Sequence, residues 1–130
     1  MAVKAHPPRP TDAELEILSV LWNTGPATVR QVYEQINQKR PAQYSTILKF
    51  MQIMTDKGLL LRDEKQRAHI YQAARSAEWT RQQLAGHLLE RAFSGSAKAL
   101  LLGALSAKKA TKTELAELQQ LLDEYAKEAK

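Results

Sequence analysis

Residues 44–73 read YSTILKFMQIMTDKGLLLRDEKQRAHIYQA, and the change of period inside that stretch decides the fold. In its first half Ile47, Phe50, Met51 and Met54 recur at spacings of three, four and seven, which predicts a helix with one apolar face. Lys57-Gly58 ends that helix, because glycine takes the left-handed conformation of a helix C-terminus without steric cost. In the second half the helical period is lost. Leu59 to Glu64 and Ala68 to Ala73 flank a polar centre, Lys65-Gln66-Arg67. Ile70 and Tyr71 favour strand, so a β-hairpin with a basic tip is expected.

Working outward toward the N-terminus, two further helices precede this unit. Thr11 with Glu14 three residues later forms a capping-box pattern, and Leu15, Leu18, Leu21 and Trp22 follow at helical spacing until Gly25-Pro26. Ala27 sits where a very short strand would fit, too short to assign from sequence. Thr28 and Gln31 repeat the capping pattern, and Val29, Val32, Tyr33 and Ile36 form the apolar stripe of a second helix ending near Lys39-Arg40-Pro41. Residues 1–10, with Pro7, Pro8 and Pro10, read as a flexible arm.

Toward the C-terminus the chain is helical again. Trp79, Leu84, Leu88 and Ala92 mark one long helix from Ser76 to about Phe93, and Gly95-Ser96 breaks it. A short apolar helix spans Ala97 to about Ser106. After a Lys108-Lys109-Ala110 linker, Thr111 and Glu114 open a last helix with Leu115, Leu118, Leu121, Leu122 and Tyr125. The expected class is mainly α with a small β-hairpin: a winged helix-turn-helix over 11–75, followed by a helical dimerisation region over 76–130.

Composition narrows the chemistry. The chain has 130 residues, 44% hydrophobic and 25% charged, which suits a globular domain with a helical extension. It has no Cys, which excludes disulfides, thiolate metal sites and a cysteine nucleophile. No apolar run is long enough to span a bilayer, and prolines occupy the place of a signal-peptide core, so a cytoplasmic location is expected. His6, His69 and His87 are scattered over an arm, a strand and a helix, with no metal-ligand spacing. Glu114, Glu117, Asp123 and Glu124 read as a solvated helix face, and the five glycines are not clustered into a phosphate loop. No enzyme, metal or cofactor is expected.

The net charge is +5. Residues 1–75 hold eleven Lys/Arg against seven Asp/Glu, and residues 76–130 hold eight against seven, so the excess lies in the N-terminal part. A basic winged helix points to nucleic acid, with its third helix in the major groove, where base edges are distinguishable. Opposite the apolar face of that helix stand Tyr44, Ser45, Thr46, Lys49 and Gln52, whose hydroxyls, amide and ammonium suit base edges and phosphates. Lys65 and Arg67 at the hairpin tip suit the backbone, although Asp63 and Glu64 weaken the field there. The same residues also fit an ordinary solvated surface. A winged-helix protein-interaction module without DNA binding is therefore the alternative, and a ligand-sensing regulator ranks below both.

In the C-terminal part Trp79, Leu84, Leu88, Leu101, Leu105, Leu118, Leu121 and Leu122 present more apolar surface than some 55 residues bury alone, which points to a second copy. A two-fold dimer would set two third helices about 34 Å apart on a palindrome.

The run Thr11 to Leu18 with Leu21-Trp22, then Thr28-Val29 with Val32-Tyr33, Ser45-Thr46-Ile47 with Met54 and Lys57-Gly58-Leu59, and Arg67-Ala68 with Tyr71 resembles the penicillinase-repressor family, also called BlaI/MecI/CopY. The resemblance covers about residues 11–125. It implies an N-terminal winged helix on operator DNA, a dimerising C-terminal part, and repression at inverted repeats. It places Thr46 at the Thr of the family's third helix, with Lys49 one turn later. The copper-responsive branch carries paired cysteines, which are absent here. The antibiotic-resistance branch implies a membrane-linked sensor peptidase pathway that cuts between Asn and Phe. The corresponding region here is Leu102-Gly103-Ala104-Leu105, and no Asn-Phe pair occurs in the chain.

Overall fold

A computed structural model describes residues 9–129. The expected arm over 1–10 lies outside the described residues, apart from Arg9 and Pro10. The elements run α1 (Asp12–Thr24), α2 (Val29–Lys39), α3 (Tyr44–Asp56), β1 (Leu60–Asp63), β2 (Ile70–Ala73), α4 (Ala77–Ala92), α5 (Ala97–Ala107) and α6 (Lys112–Glu128). Among the described residues, six helices and a two-stranded antiparallel hairpin make the chain mainly α, as the periodicities predict.

The helix starts follow their caps. Thr11 and Thr28 each accept from the backbone N–H three residues on, and Glu14 and Gln31 each return a bond to the cap's own N–H. Both boxes are reciprocal, so each satisfies two backbone donors that a helix start leaves open. Thr111 Oγ1 accepts from the Glu114 N–H in the same way at α6. The end of α3 is a complete Schellman turn. Gly58 N–H donates to Thr55 O at 3.1 Å and Leu59 N–H to Met54 O at 2.8 Å, with Gly58 at φ +85°.

The chain forms two compact units, divided within α4 between Ala85 and Gly86. In the first, α1, α2 and α3 enclose a core with the hairpin. Ile17, Leu18 and Leu21 from α1 meet Val32 and Ile36 from α2, Ile47, Met51 and Met54 from α3, and Leu60 and Tyr71 from the strands. These are largely the stripes the helical spacing selects, but Leu15, Trp22, Tyr33 and Phe50 are only half-buried at the edge of the core, and Ile17, which that spacing leaves out, is fully buried. Leu60 pairs with Ala73 and Arg62 with Tyr71 across the hairpin. Ala27 adds a one-residue bridge to the other edge of β2, exchanging both backbone bonds with Tyr71 at 2.8 and 2.9 Å. Trp22 Nε1 donates to Arg75 O at 3.0 Å, tying the end of α1 to the segment entering α4.

The second unit has no buried residue among those described. Within it Phe93 lies against Gly103 on α5, where an added Cβ would stand 3.4 Å from the ring. Ser94 and Gly95, both at positive φ, turn the chain out of α4.

Candidate nucleic-acid interface

The exposed side of α3 is set by what holds its buried side. Ile47, Met51 and Met54 fill the core, so Ser45, Thr46, Lys49 and Gln52 are turned to solvent. These four of the five positions expected on α3 are thus on accessible surface of one helix, with the hydroxyls in its first turn, and the fifth, Tyr44, is exposed as well. Thr46 also lines a cleft of about 340 Å³ together with Ala13, Pro41 and Phe50. The link before α3 is pinned by Asn37, whose Oδ1 accepts from the Ala42 N–H at 3.0 Å.

The far end of α3 is fixed by an ion pair between a half-buried Lys57 and a buried Glu14. Lys57 Nζ donates to both carboxylate oxygens of Glu14, at 2.8 and 2.9 Å, and Glu14 is only 2% exposed. One oxygen also accepts from the Thr11 N–H at 2.9 Å, so the capping box of α1 and the C-terminus of α3 share one carboxylate. Burial pushes the Glu14 carboxyl up, but the bonds from Lys57 and Thr11 outweigh it and hold it below its ordinary value. Helical spacing showed Glu14 only as a cap; its partner is 43 residues away.

Cations near this surface divide into paired and unpaired. Arg40 donates from Nε and Nη2 to the two oxygens of Glu16, which lowers that carboxyl and raises the guanidinium. Arg62 hydrogen-bonds the Tyr71 side chain, the main cause of its raised pKa, and pairs with Glu64 at 3.2 Å. Lys49, Lys65, Arg67 and Arg30 form no ion pair among the described residues. Lys65 and Arg67 are exposed in the turn between the strands, where the Lys65 N–H donates to Asp63 Oδ1 at 2.9 Å. Asp63 therefore holds the turn by a backbone bond, while the Lys65 ammonium stays unpaired.

Tyr44 differs from its neighbours on α3. Its ring meets the Tyr33 ring edge-on at 5.8 Å and carries the Arg30 guanidinium 4.9 Å from its centroid. Helical spacing places Tyr44 on this face and gives no sign of Arg30. An Arg two residues after a cap has no local mark of a partner on the next helix.

The positions expected in dimerisation lie on both sides of the division in α4. Trp79 and Leu84 belong to the first unit and are half-buried, with the Arg75 guanidinium 4.8 Å over the Trp79 ring. Leu88, Leu101, Leu105, Leu118, Leu121 and Leu122 belong to the second. Leu88, Leu121 and Leu122 are exposed by 46 to 50%, Leu105 is just exposed, and Leu101 and Leu118 are half-buried. Among the described residues no cluster of His, Asp or Glu could hold a metal, and no helix is long and apolar enough to cross a membrane.

A family model described as penicillinase repressor matches residues 10–124. Two proteins named transcriptional regulator BlaI, from the CDC 1551 and H37Rv strains of Mycobacterium tuberculosis, are each 38% identical to the chain over 61 residues. That alignment covers 46% of this chain and 44% of each relative.

Proposed function

The chain belongs to the penicillinase repressor family, and on that premise we propose that it is a transcriptional repressor that binds a palindromic operator as a homodimer. Ser45, Thr46, Lys49 and Gln52 on α3 read the major groove, and Lys65 and Arg67 on the hairpin hold the backbone. The carrying observation is the exposed, unpaired Lys49 beside two hydroxyls, on a helix pinned at one end by Asn37 and at the other by the Glu14–Lys57 pair.

The dimer reading is supported by the leucines of residues 86–129, which the second unit leaves unburied. Apolar surface of that kind marks an interaction site, and Trp79 and Leu84 extend the same stretch of chain. This region is also where an inducing signal would act. A peptidase acting there would cut at a bond other than Asn-Phe.

Footprinting on the DNA upstream of its own gene, followed by titration of the protected duplex, tests the reading. Thr46→Ala is expected to weaken binding to that duplex by about 1–3 kcal/mol while leaving random DNA little changed. Lys49→Ala is expected to weaken binding and flatten the salt dependence by about one unit. Parent and both variants binding the duplex equally would overturn the assignment of α3.

A further inference from the structure

We propose that Arg30 is a further DNA-contacting residue, gripping a backbone phosphate where α2 and α3 adjoin, and that Tyr44 is the platform that positions it and not a reader of bases. The assignment rests on the DNA-binding reading above and deepens it.

Arg30 lies in the first turn of α2 and Tyr44 is the first residue of α3. The stack of guanidinium on ring therefore bridges the two helices whose junction presents α3. Attraction to a ring face uses the charge of the guanidinium and leaves its N–H donors available. Arg30 is exposed and, among the described residues, no carboxylate pairs with it. Arg40 and Arg62, by contrast, are each held by a glutamate. A polyanion reaching Ser45 and Thr46 thus meets a positive group that is already oriented and not neutralised. Its planar fork suits a phosphate, and its place off α3 suits a contact that positions without specifying.

Tyr44 has correspondingly less to offer a base. Its ring is engaged by Arg30 and by Tyr33, which restrains it beside the helix start. The ring is needed for this role and the hydroxyl is not.

The test is a set of salt titrations on the footprinted duplex and on a random one, with parent, Arg30→Ala, Arg30→Lys, Tyr44→Phe, Tyr44→Leu and Arg30→Ala/Tyr44→Leu. Melting curves verify folding, which the exposed position of Arg30 does not endanger. Arg30→Ala is expected to weaken both duplexes alike and reduce the salt slope by about one. Arg30→Lys should keep the slope but bind more weakly than the parent, since a point charge lacks the planar fork. Tyr44→Phe should match the parent. Tyr44→Leu should weaken both duplexes, and should add little in the Arg30→Ala background because platform and arginine act together. An unchanged slope and affinity for Arg30→Ala overturns the Arg30 contact alone. A loss confined to the footprinted duplex for Tyr44→Leu, equal in both backgrounds, overturns the platform role and makes Tyr44 a base reader. If the parent itself shows no salt-dependent binding to either duplex, the DNA reading fails and this assignment falls with it.

Discussion

A single carboxylate does two jobs in this protein. Glu14 closes the capping box of α1 and neutralises Lys57 at the end of α3. Glu14 is the buried partner, so removing Lys57 leaves its carboxylate without compensation, which costs more than the pair contributes. Lys57→Met is therefore expected to destabilise by about 3–5 kcal/mol in denaturant titration. A Glu14→Gln/Lys57→Met double variant should recover part of that loss, since the amide still caps Thr11 and no charge remains buried. The pair also sets an acid limit. The Glu14 carboxyl is held below its ordinary value of 4.5, so its contribution is complete above that value and is lost as pH falls through the lower folded one. The melting temperature of the parent should drop over that acid range by more than that of Glu14→Gln. Parallel curves would show that the ion pair has no net effect.

At the scale of elements, α3 is the piece whose placement matters, and its ends are where substitution should tell. Gly58 is buried and at φ +85° in the Schellman turn, where an L side chain is strained. Gly58→Ala is expected to cost about 1 kcal/mol or more, read from the midpoint of chemical denaturation. The hairpin is a different kind of element. Its inner side is fixed by Tyr71 and Leu60 in the core, while its turn carries Lys65 and Arg67 free of salt bridges among the described residues. Arg67→Ala is expected to lower affinity for operator and random duplex in equal proportion, because backbone contacts carry no sequence information. A loss confined to the operator would instead make the hairpin a base reader.

For the molecule as a whole, the contrast is between a first unit with a closed core and a second without one. Leu102, Leu115, Leu121 and Leu122 are all at least 46% exposed, and nothing within residues 86–129 covers them. Linked half-site contacts raise affinity through effective concentration, so a dimer should bind where a monomer does so far more weakly. A version ending at Gly103 lacks α6 but keeps the entire core of the first unit. It is expected to fold, to sediment as a monomer or a much weaker dimer, and to lose operator binding at working concentration. A full-length chain that is monomeric at micromolar concentration would remove the basis of the dimer reading. So would a truncated chain that binds equally well.

Every element and most of the core are legible in the sequence, because those depend on short-range physics. Caps at Thr11 and Thr28, the left-handed stop at Gly58, and apolar residues three and four apart act within one or two helical turns. The same periodicity turned Ser45, Thr46, Lys49 and Gln52 outward once Ile47, Met51 and Met54 were inward. What tertiary structure decided are pairings between turns far apart in the chain. Lys57 finds Glu14 across 43 residues and Trp22 finds the Arg75 carbonyl across 53. Ala27 becomes a strand residue only because Tyr71 exchanges hydrogen bonds with it. Arg30 and Tyr44 meet only when α2 and α3 adjoin, and that contact turned an expected base contact into a platform candidate. Periodicity tells which face of a helix is buried. Which side chain of another element stands opposite a given residue depends on how the helices come together, and no local pattern encodes that.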